Sequence, residues 1–449
     1  MLHPRAADDH RTATRSSRRR RSLAFVSLVA LVLVAAAVAC GGEDEETPAA
    51  TGSPGATVAG TATPQGATTA SAEAPGISDT EILLGSETIL SGTMGAVYAT
   101  IPQAVSTYFD YINDTQGGVC GRKIVYKVED NLDDPARALE AARKLVEQDE
   151  VFAIVSSGGD AGHSGSWEYL NEKGVPDILV TAGGHRFGAD PQGHPWTAQM
   201  IPSYTIEGMF YGQYISENLP GKKVAVLWEN GPAGIDGLAG VKEGLDPSKN
   251  ELVADEGFDI TTISIASQVA NLKNSNAEVV VLHTSPGFVT QAIKTADRMG
   301  WHPQWLMGYV NSDDMMFSFV SHKLLEGAIT FQALKLAAWR DDAAVARHYE
   351  LMQEYGGPTP TNFTIYAQTL AETAVEVLSR SCENLTREGL MDALESLQGF
   401  HSDLMLDGVT VSFSDTDHTG LQTGRMLRAG VENGKGKFEY FGPLREFQQ

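Results

Sequence analysis

Apolar positions along the chain come in two alternating patterns. One is a short, nearly unbroken run: Ile124–Val128 (IVYKV), Val151–Val155 (VFAIV), Asp177–Thr181 (DILVT), Lys223–Leu227 (KVAVL) and Ala277–His283 (AEVVVLH). Runs of this length, rich in β-branched residues, read as strands of a parallel sheet covered on both faces. The other pattern recurs every three or four residues. Ala138, Leu139, Ala142, Leu145 and Val146 make one apolar helix face, opened by Asp134 at the N-cap and Pro135 in the first turn.

Strand and helix alternate in this way from about Ile77 onward. Glu81–Leu84 with Ser86–Thr88 reads as the first strand, Ser91–Tyr98 as a loop, and the residues through Tyr108 to Ile112 as a helix. Helix Trp167–Lys173 follows the second unit. The rhythm lapses at Pro195–Tyr204, a first crossing between domains, and then restarts. Helices Ile235–Leu245, Ile265–Leu272 and Phe288–Met299 alternate with strands Glu251–Asp255 and Trp305–Gly308. Glu326–Phe331 reads as a return strand and second crossing. Ala343–Tyr355, Asn362–Leu378 and Arg387–Leu397 read as helices, and Thr410–Phe413, Leu427–Val431 and Phe438–Phe441 as late strands.

The loops that end these strands are where chemistry is expected, because open α/β sheets bind small ligands beyond the carboxyl ends of their strands. Ser156–Gly165 is small and rich in hydroxyls. Ala182–His185, Glu229–Gly234 and Thr284–Gly287 occupy the equivalent places after other strands.

The N-terminus follows a different rule. Residues 1–21 are basic and end in four arginines, Leu23–Ala39 is apolar apart from Ser27, and Ala37-Val38-Ala39-Cys40 closes the run. This has the shape of a signal peptide, with residues 1–39 removed. The small residues before Cys40 resemble a bacterial lipobox, which implies a lipidated Cys40 at the mature N-terminus. Arg20-Arg21 also permits twin-arginine export. Residues 40–76, rich in Thr, Ala, Gly, Ser and Pro, read as a disordered tether.

The 449 residues carry a net charge of −24. Residues 1–39 hold seven Arg against Asp8 and Asp9, so the remainder stands at −29. Such a surface disfavours nucleic acid and anionic lipid. Cys40, Cys120 and Cys382 form no CxxC or Cys/His cluster, so neither a metal site nor a cofactor is expected. Gly162-His163-Ser164-Gly165-Ser166 lacks the last Gly of a nucleophile elbow. Asp415–Gly420 begins like a calcium loop, but Met426 stands where its Glu belongs. No enzyme motif is complete.

Several stretches together resemble the leucine/isoleucine/valine-binding family of ABC transporter solute-binding proteins, of the type I periplasmic binding protein fold. They are Gly117-Gly118-Val119-Cys120-Gly121-Arg122-Lys123-Ile124, Glu129-Asp130, Asp134–Ala138 leading to Ala142–Val146, Leu170–Pro176 and His194–Thr197. The resemblance spans about residues 77–445. It implies an α/β protein of two doubly wound lobes with parallel central sheets. A three-segment hinge joins them, and ligand sits in the cleft between. Residues 77–200 and 332–422 would form lobe 1, and 201–331 and 423–449 lobe 2.

It further implies a bound branched-chain amino acid or related small polar metabolite, ABC permease subunits as partners, and attachment to the bacterial membrane through lipidated Cys40. A ligand-sensing module feeding a receptor or sensor kinase is the alternative on the same fold. In the first lobe, hydroxyls and backbone N–H groups would hold a ligand carboxylate, at Gly159, Asp160, Ala161, His163, Gly183 and His185, with Met94 and Tyr98 beside them. Tyr204, Glu229, Asn230, Ser285, Tyr309 and Asn311 match positions in the second lobe. Ala233 stands where an aromatic residue is common in the family, and His185 where Ser or Thr is usual. The fold also places Cys120 and Cys382 in one lobe, where an exported protein can bridge them.

Overall fold

Two sheets carry the chain in the computed structural model, which describes residues 74–446. The expected signal peptide, Cys40 and nearly all of the tether lie outside the described residues. Among the described residues no helix is long and apolar enough to cross a membrane.

The first sheet contains β1 (Glu81–Thr88), β2 (Lys123–Asp130), β3 (Ala153–Val155), β4 (Asp177–Val180) and β5 (Thr197–Gln199), all parallel, in the order β2-β1-β3-β4-β5. The second begins with β6 (Lys223–Glu229), β7 (Glu251–Phe258), β8 (Val279–His283), β9 (Gln304–Met307) and β10 (Ile329–Gln332), also parallel. Read from its β7 edge, this part runs β7-β6-β8-β9-β10, the same winding as the first sheet. An antiparallel hairpin of β11 (Thr423–Glu432) and β12 (Lys435–Glu446) extends it at β10. The fold is thus α/β with two doubly wound lobes.

Each sheet is covered on both faces, as its apolar strands require. In the first lobe, helices Thr100–Thr115 and Asn362–Arg380 bring Val105, Phe109, Leu370 and Ala374 onto one face. Helix Pro135–Arg143 and its extension pack Ala142 and Leu145 on the other, and Asp134 caps that helix by accepting from the Ala136 and Arg137 amides. In the second lobe, Phe210, Tyr211 and Val241 cover one face and Val269, Val289 and Ile293 the other.

Three segments cross between the lobes and bond to one another. The Gln199 amide donates to His418 O, Leu421 N–H to Met200 O, and Leu406 N–H to Ala333 O. The structure differs from the expected elements in two places. Thr410–Phe413 makes only isolated bridges, from Val411 to Phe400 and to Leu421, and packs Val411 and Phe413 into the first-lobe core instead of joining a sheet. A second difference is Gly92–Tyr98, which is helical, not a loop. Asp130, at the end of β2, accepts from the Leu90 amide and the Ser91 hydroxyl and turns the chain back as it leaves β1.

Cys120 and Cys382 are joined by a disulfide, with Cα atoms 5.3 Å apart and 262 residues between them in sequence. It ties the turn before β2 to the end of helix Asn362–Arg380. Closing so long a loop restricts the unfolded chain strongly, so replacing both cysteines by serine should cost about 2–5 kcal/mol in denaturant unfolding. Mass analysis without reduction that found two free thiols would remove the bridge from the account.

Candidate ligand-binding site

In a doubly wound sheet the order reverses at one place, and there neighbouring loops diverge and leave a crevice beyond the strand ends. In the first lobe this place lies between β1 and β3, in the second between β6 and β8. Both crevices open on the same chamber. Ile89 after β1 and Gly159 and Asp160 after β3 line it from one side. Glu229 at the end of β6 and His283, Thr284 and Ser285 at the end of β8 line it from the other. About 100 Å³ of it is accessible to the centre of a water molecule, far more than the ~10–15 Å³ one water needs.

Four carboxyl groups face this chamber: Asp133, Asp160, Glu207 and Glu229. Among the described residues, no lysine or arginine lines it. Asp133 Oδ1 accepts from the Gly162 amide at 2.9 Å, and Asp160 Oδ2 from the Gly183 amide at 3.0 Å. Glu229 Oε1 accepts from the Thr284 hydroxyl at 2.7 Å and the Ser285 amide at 3.1 Å. Glu207, fully buried on helix Tyr204–Asn218, accepts from the Tyr211 hydroxyl at 2.8 Å and from the Tyr309 amide. Among the described residues its Oε2 and Asp160 Oδ1 have no hydrogen-bond partner, although Arg186 Nη2 lies 4.0 Å from Asp160 Oδ1.

Burial pushes the Glu207 carboxyl up to about 8. Burial likewise raises Asp160 to about 6, against Arg186 and the Gly183 amide, which act downward. Burial also raises Asp133. His283 is pushed down to about 4 by burial, so its ring is neutral at physiological pH. The Glu207 Oε2 lies 3.7 Å from its Nδ1.

His163 does something other than bind ligand. Its ring is fully buried beneath the loop and donates from Nδ1 to Glu87 at 2.6 Å and from Nε2 to Asp177 at 2.9 Å. Burial by itself lowers its pKa. The Asp177 charge and hydrogen bond, then those of Glu87, outweigh burial and raise it to about 10. The ring is an imidazolium held between two acids. Ser166 donates to Glu87 at 2.9 Å, Ser157 to Asp177 at 2.7 Å, and Asn131 to both Glu87 and Gly158 O. Ser166 is sealed from solvent, so this serine–histidine–acid cluster is out of a substrate's reach.

The other expected residues divide in the same way. Met94, Tyr98, Gly159, Asp160, Tyr204, Glu229 and Ser285 line the acidic chamber. Asn230 is exposed and faces away, its amide bonded to Phe258 O. Asn311 is fully buried behind the wall, donating to the Thr284 and Gly308 carbonyls. Gly183 is not a free donor: its N–H serves Asp160, and a Cβ there would lie 2.5 Å from the Tyr204 ring. Ala161 is half-buried outside the chamber. His185 uses its N–H to reach Asp236 Oδ2 at 2.8 Å, a bond from the first lobe to helix Pro232–Gly244 of the second. Asp313 accepts from the Asn362 amide at 2.8 Å and makes another such link. The lobes are therefore in contact across the cleft.

Asp133, Glu207 and His283 were missed from sequence. Asp133 stands next to the N-cap and has φ of 55°, in the left-handed region, where the Asn131 side chain accepts its N–H. Glu207 gave a faint signal, an acid among Ile206, Phe210 and Tyr211 on a helix with no polar face.

Tyr309 belongs to a second chamber, mostly apolar, with about 90 Å³ accessible to the centre of a water molecule. Ile101, Ile201, Phe331, Leu334, Phe363 and Leu421 supply its apolar walls. Tyr98, Thr181, Tyr204 and Val310 line both chambers. Tyr204 stacks on Tyr309, with centroids 5.8 Å apart and planes 14° apart.

The profile of the family described as periplasmic binding protein matches residues 81–436. The chain belongs to that family. Among its relatives is the Leu/Ile/Val-binding protein homolog 1 of Brucella abortus (strain 2308), 24% identical over 302 residues, covering 66% of this chain and 78% of the relative. Two solved structures share the fold. One is a branched-chain amino acid ABC transporter protein from Thermus thermophilus with bound valine, with a TM-score of 0.72 and 18% identity over 83% of this chain and 98% of that one. The other is a fatty acid ABC transporter substrate-binding protein from Thermomonospora curvata, with a TM-score of 0.71 and 21% identity over 84% and 95%. In this periplasmic binding protein the paired switch points form the cleft, and the acids in it are features of this chain's own residues.

Two outcomes test these assignments. Replacing His163 by alanine leaves Glu87 and Asp177 buried without their cation, so stability should fall by about 3–5 kcal/mol; an unchanged melting temperature would return His163 to the ligand. Glu207 faces Tyr211, Tyr309 and His283, all uncharged at neutral pH. A carboxyl whose folded pKa is raised holds its proton longer in the folded state. Its contribution to stability therefore falls as pH rises from about 4.5 to about 8. The ligand-free E207Q variant should gain on the wild type across that window, by up to about 1.4 kcal/mol per pH unit. Parallel stability curves would show that Glu207 does not titrate there.

Proposed function

We propose that this is an extracytoplasmic solute-binding protein of an ABC importer, anchored to the membrane through lipidated Cys40. It closes its lobes on a branched-chain amino acid or related small polar metabolite. The observation that carries the reading is the single chamber formed where the switch points of two equivalently wound sheets meet. A ligand there touches both lobes at once, so it stabilises the closed arrangement over any open one. The bonds from His185 to Asp236 and from Asn362 to Asp313 then add to the closed state alone. Closure is the signal that permease subunits would read. The relatives named for leucine, isoleucine and valine support the amino-acid class, and the acids facing the chamber supply acceptors for its ammonium group.

A thermal-shift screen of the purified mature chain against amino acids, their amides, amines and short acids tests this directly. A ligand present at a hundredfold above its dissociation constant adds about 2.7 kcal/mol to stability. If no amino acid or analogue moves the melting temperature, the amino-acid assignment fails.

A further inference from the structure

We infer that the cleft selects an organic cation, a primary amine with one apolar or aromatic arm and no carboxylate. The inference rests on the solute-binding reading and narrows its ligand class. It begins from a contradiction within the site. The resemblance assigns first-lobe amides to a ligand carboxylate, yet the Gly162 and Gly183 amides are taken by the protein's own Asp133 and Asp160. Two amides of that anion cradle already hold side-chain carboxylates, and the four acids bring acceptor oxygen to the chamber.

Two buried groups point to a missing donor. Glu207 Oε2, on a residue with no solvent exposure, has no hydrogen-bond partner, and neither does Asp160 Oδ1 across the chamber. Leaving a buried acceptor unpaired costs roughly 1–3 kcal/mol, and more for a charged group. An ammonium group brings three donors and a positive charge to acceptors of this kind. A ligand carboxylate would instead enter among four acids with no lysine or arginine lining the chamber. Arg186 does not line the chamber; it donates to the Asp160 carbonyl at 2.9 Å, and its Nη2 lies 4.0 Å from Asp160 Oδ1, an ion pair beyond hydrogen-bond distance.

The second chamber supplies the arm's place. It shares the Tyr98, Thr181, Tyr204 and Val310 wall with the first, and its far side is Phe331, Phe363 and Leu421. Tyr98 and Tyr204 line both chambers, and tyrosine rings pack against apolar carbon and attract a nearby cation.

Calorimetric titration of the mature chain with matched series decides it. One series is isopentylamine, leucine and isovalerate; the other is 2-phenylethylamine, phenylalanine and 3-phenylpropionate. Methylamine serves as the armless control. Each amine should bind at least tenfold tighter than the amino acid of its series, the acids should not bind, and methylamine should bind at least a hundredfold more weakly than the better amine. Leucine or phenylalanine binding as tightly as its amine overturns this inference and leaves the solute-binding reading intact. Absence of binding by amines and amino acids alike removes both. E207Q, which keeps the acceptor for Tyr211 and Tyr309, should weaken the amine at least tenfold with an unchanged circular dichroism spectrum, and D160N should do the same. Unchanged amine affinity in both variants overturns the inference.

Discussion

The imidazolium of His163 joins the parts of the first lobe on which the site depends. Glu87 comes from β1, Asp177 from β4, and His163 from the loop after β3, and all three side chains are buried. Ionised carboxylates in such a place are costly unless paired and hydrogen-bonded. Here each acid receives a ring nitrogen and at least one further donor, from Ser166 and Asn131 or from Ser157. The same Asn131 holds the Gly158 carbonyl and accepts from the Asp133 amide. The cluster thus sets the turn that carries Asp133 and the loop that carries Gly159 and Asp160. What lines the cleft is positioned from beneath by a charge network the ligand never meets.

The second lobe reaches its half of the site by a different route. Its parallel strands are wound in the same order as those of the first lobe, so its switch point opens toward the same cleft without any shared sequence motif. Its acids are held by neutral donors: Thr284 and Ser285 for Glu229, Tyr211 and the Tyr309 amide for Glu207. With no cation beside it, Glu207 is shifted upward by burial and holds its proton well into the neutral range. A bound cation reverses that balance by favouring the ionised form.

Much of this architecture was legible along the chain. The buried strands announced themselves as apolar runs because a parallel strand covered on both faces has no polar side to show. Val279–His283 is buried throughout, as AEVVVLH implied. The Asp134-Pro135 helix start was equally plain, because capping is local chemistry. Gly92–Tyr98 was not legible: its helical turn depends on Asp130, some forty residues away in sequence. The two strands of the late hairpin were legible as Leu427–Val431 and Phe438–Phe441, whereas the isolated bridges of Thr410–Phe413 to Phe400 and Leu421 were not.

The sequence by itself determined the β/α alternation, the loops at strand ends and the family to which they belong. The alternation and the loops follow from periodicity and local capping, which need only near neighbours; the family follows from the resemblance of its motifs. The tertiary structure decided which loop residues meet the cleft and what charge the cleft carries. His163 and Asp160 lie three residues apart in one loop, yet one is sealed between Glu87 and Asp177 while the other faces the chamber. Glu207 enters from a helix that no strand-end rule marks, and Asp133 from the turn after β2, where only the fold decides which side chain faces the chamber. Side-chain direction and the pairing of amides with acids depend on contacts across scores of residues, and only the folded chain brings those together.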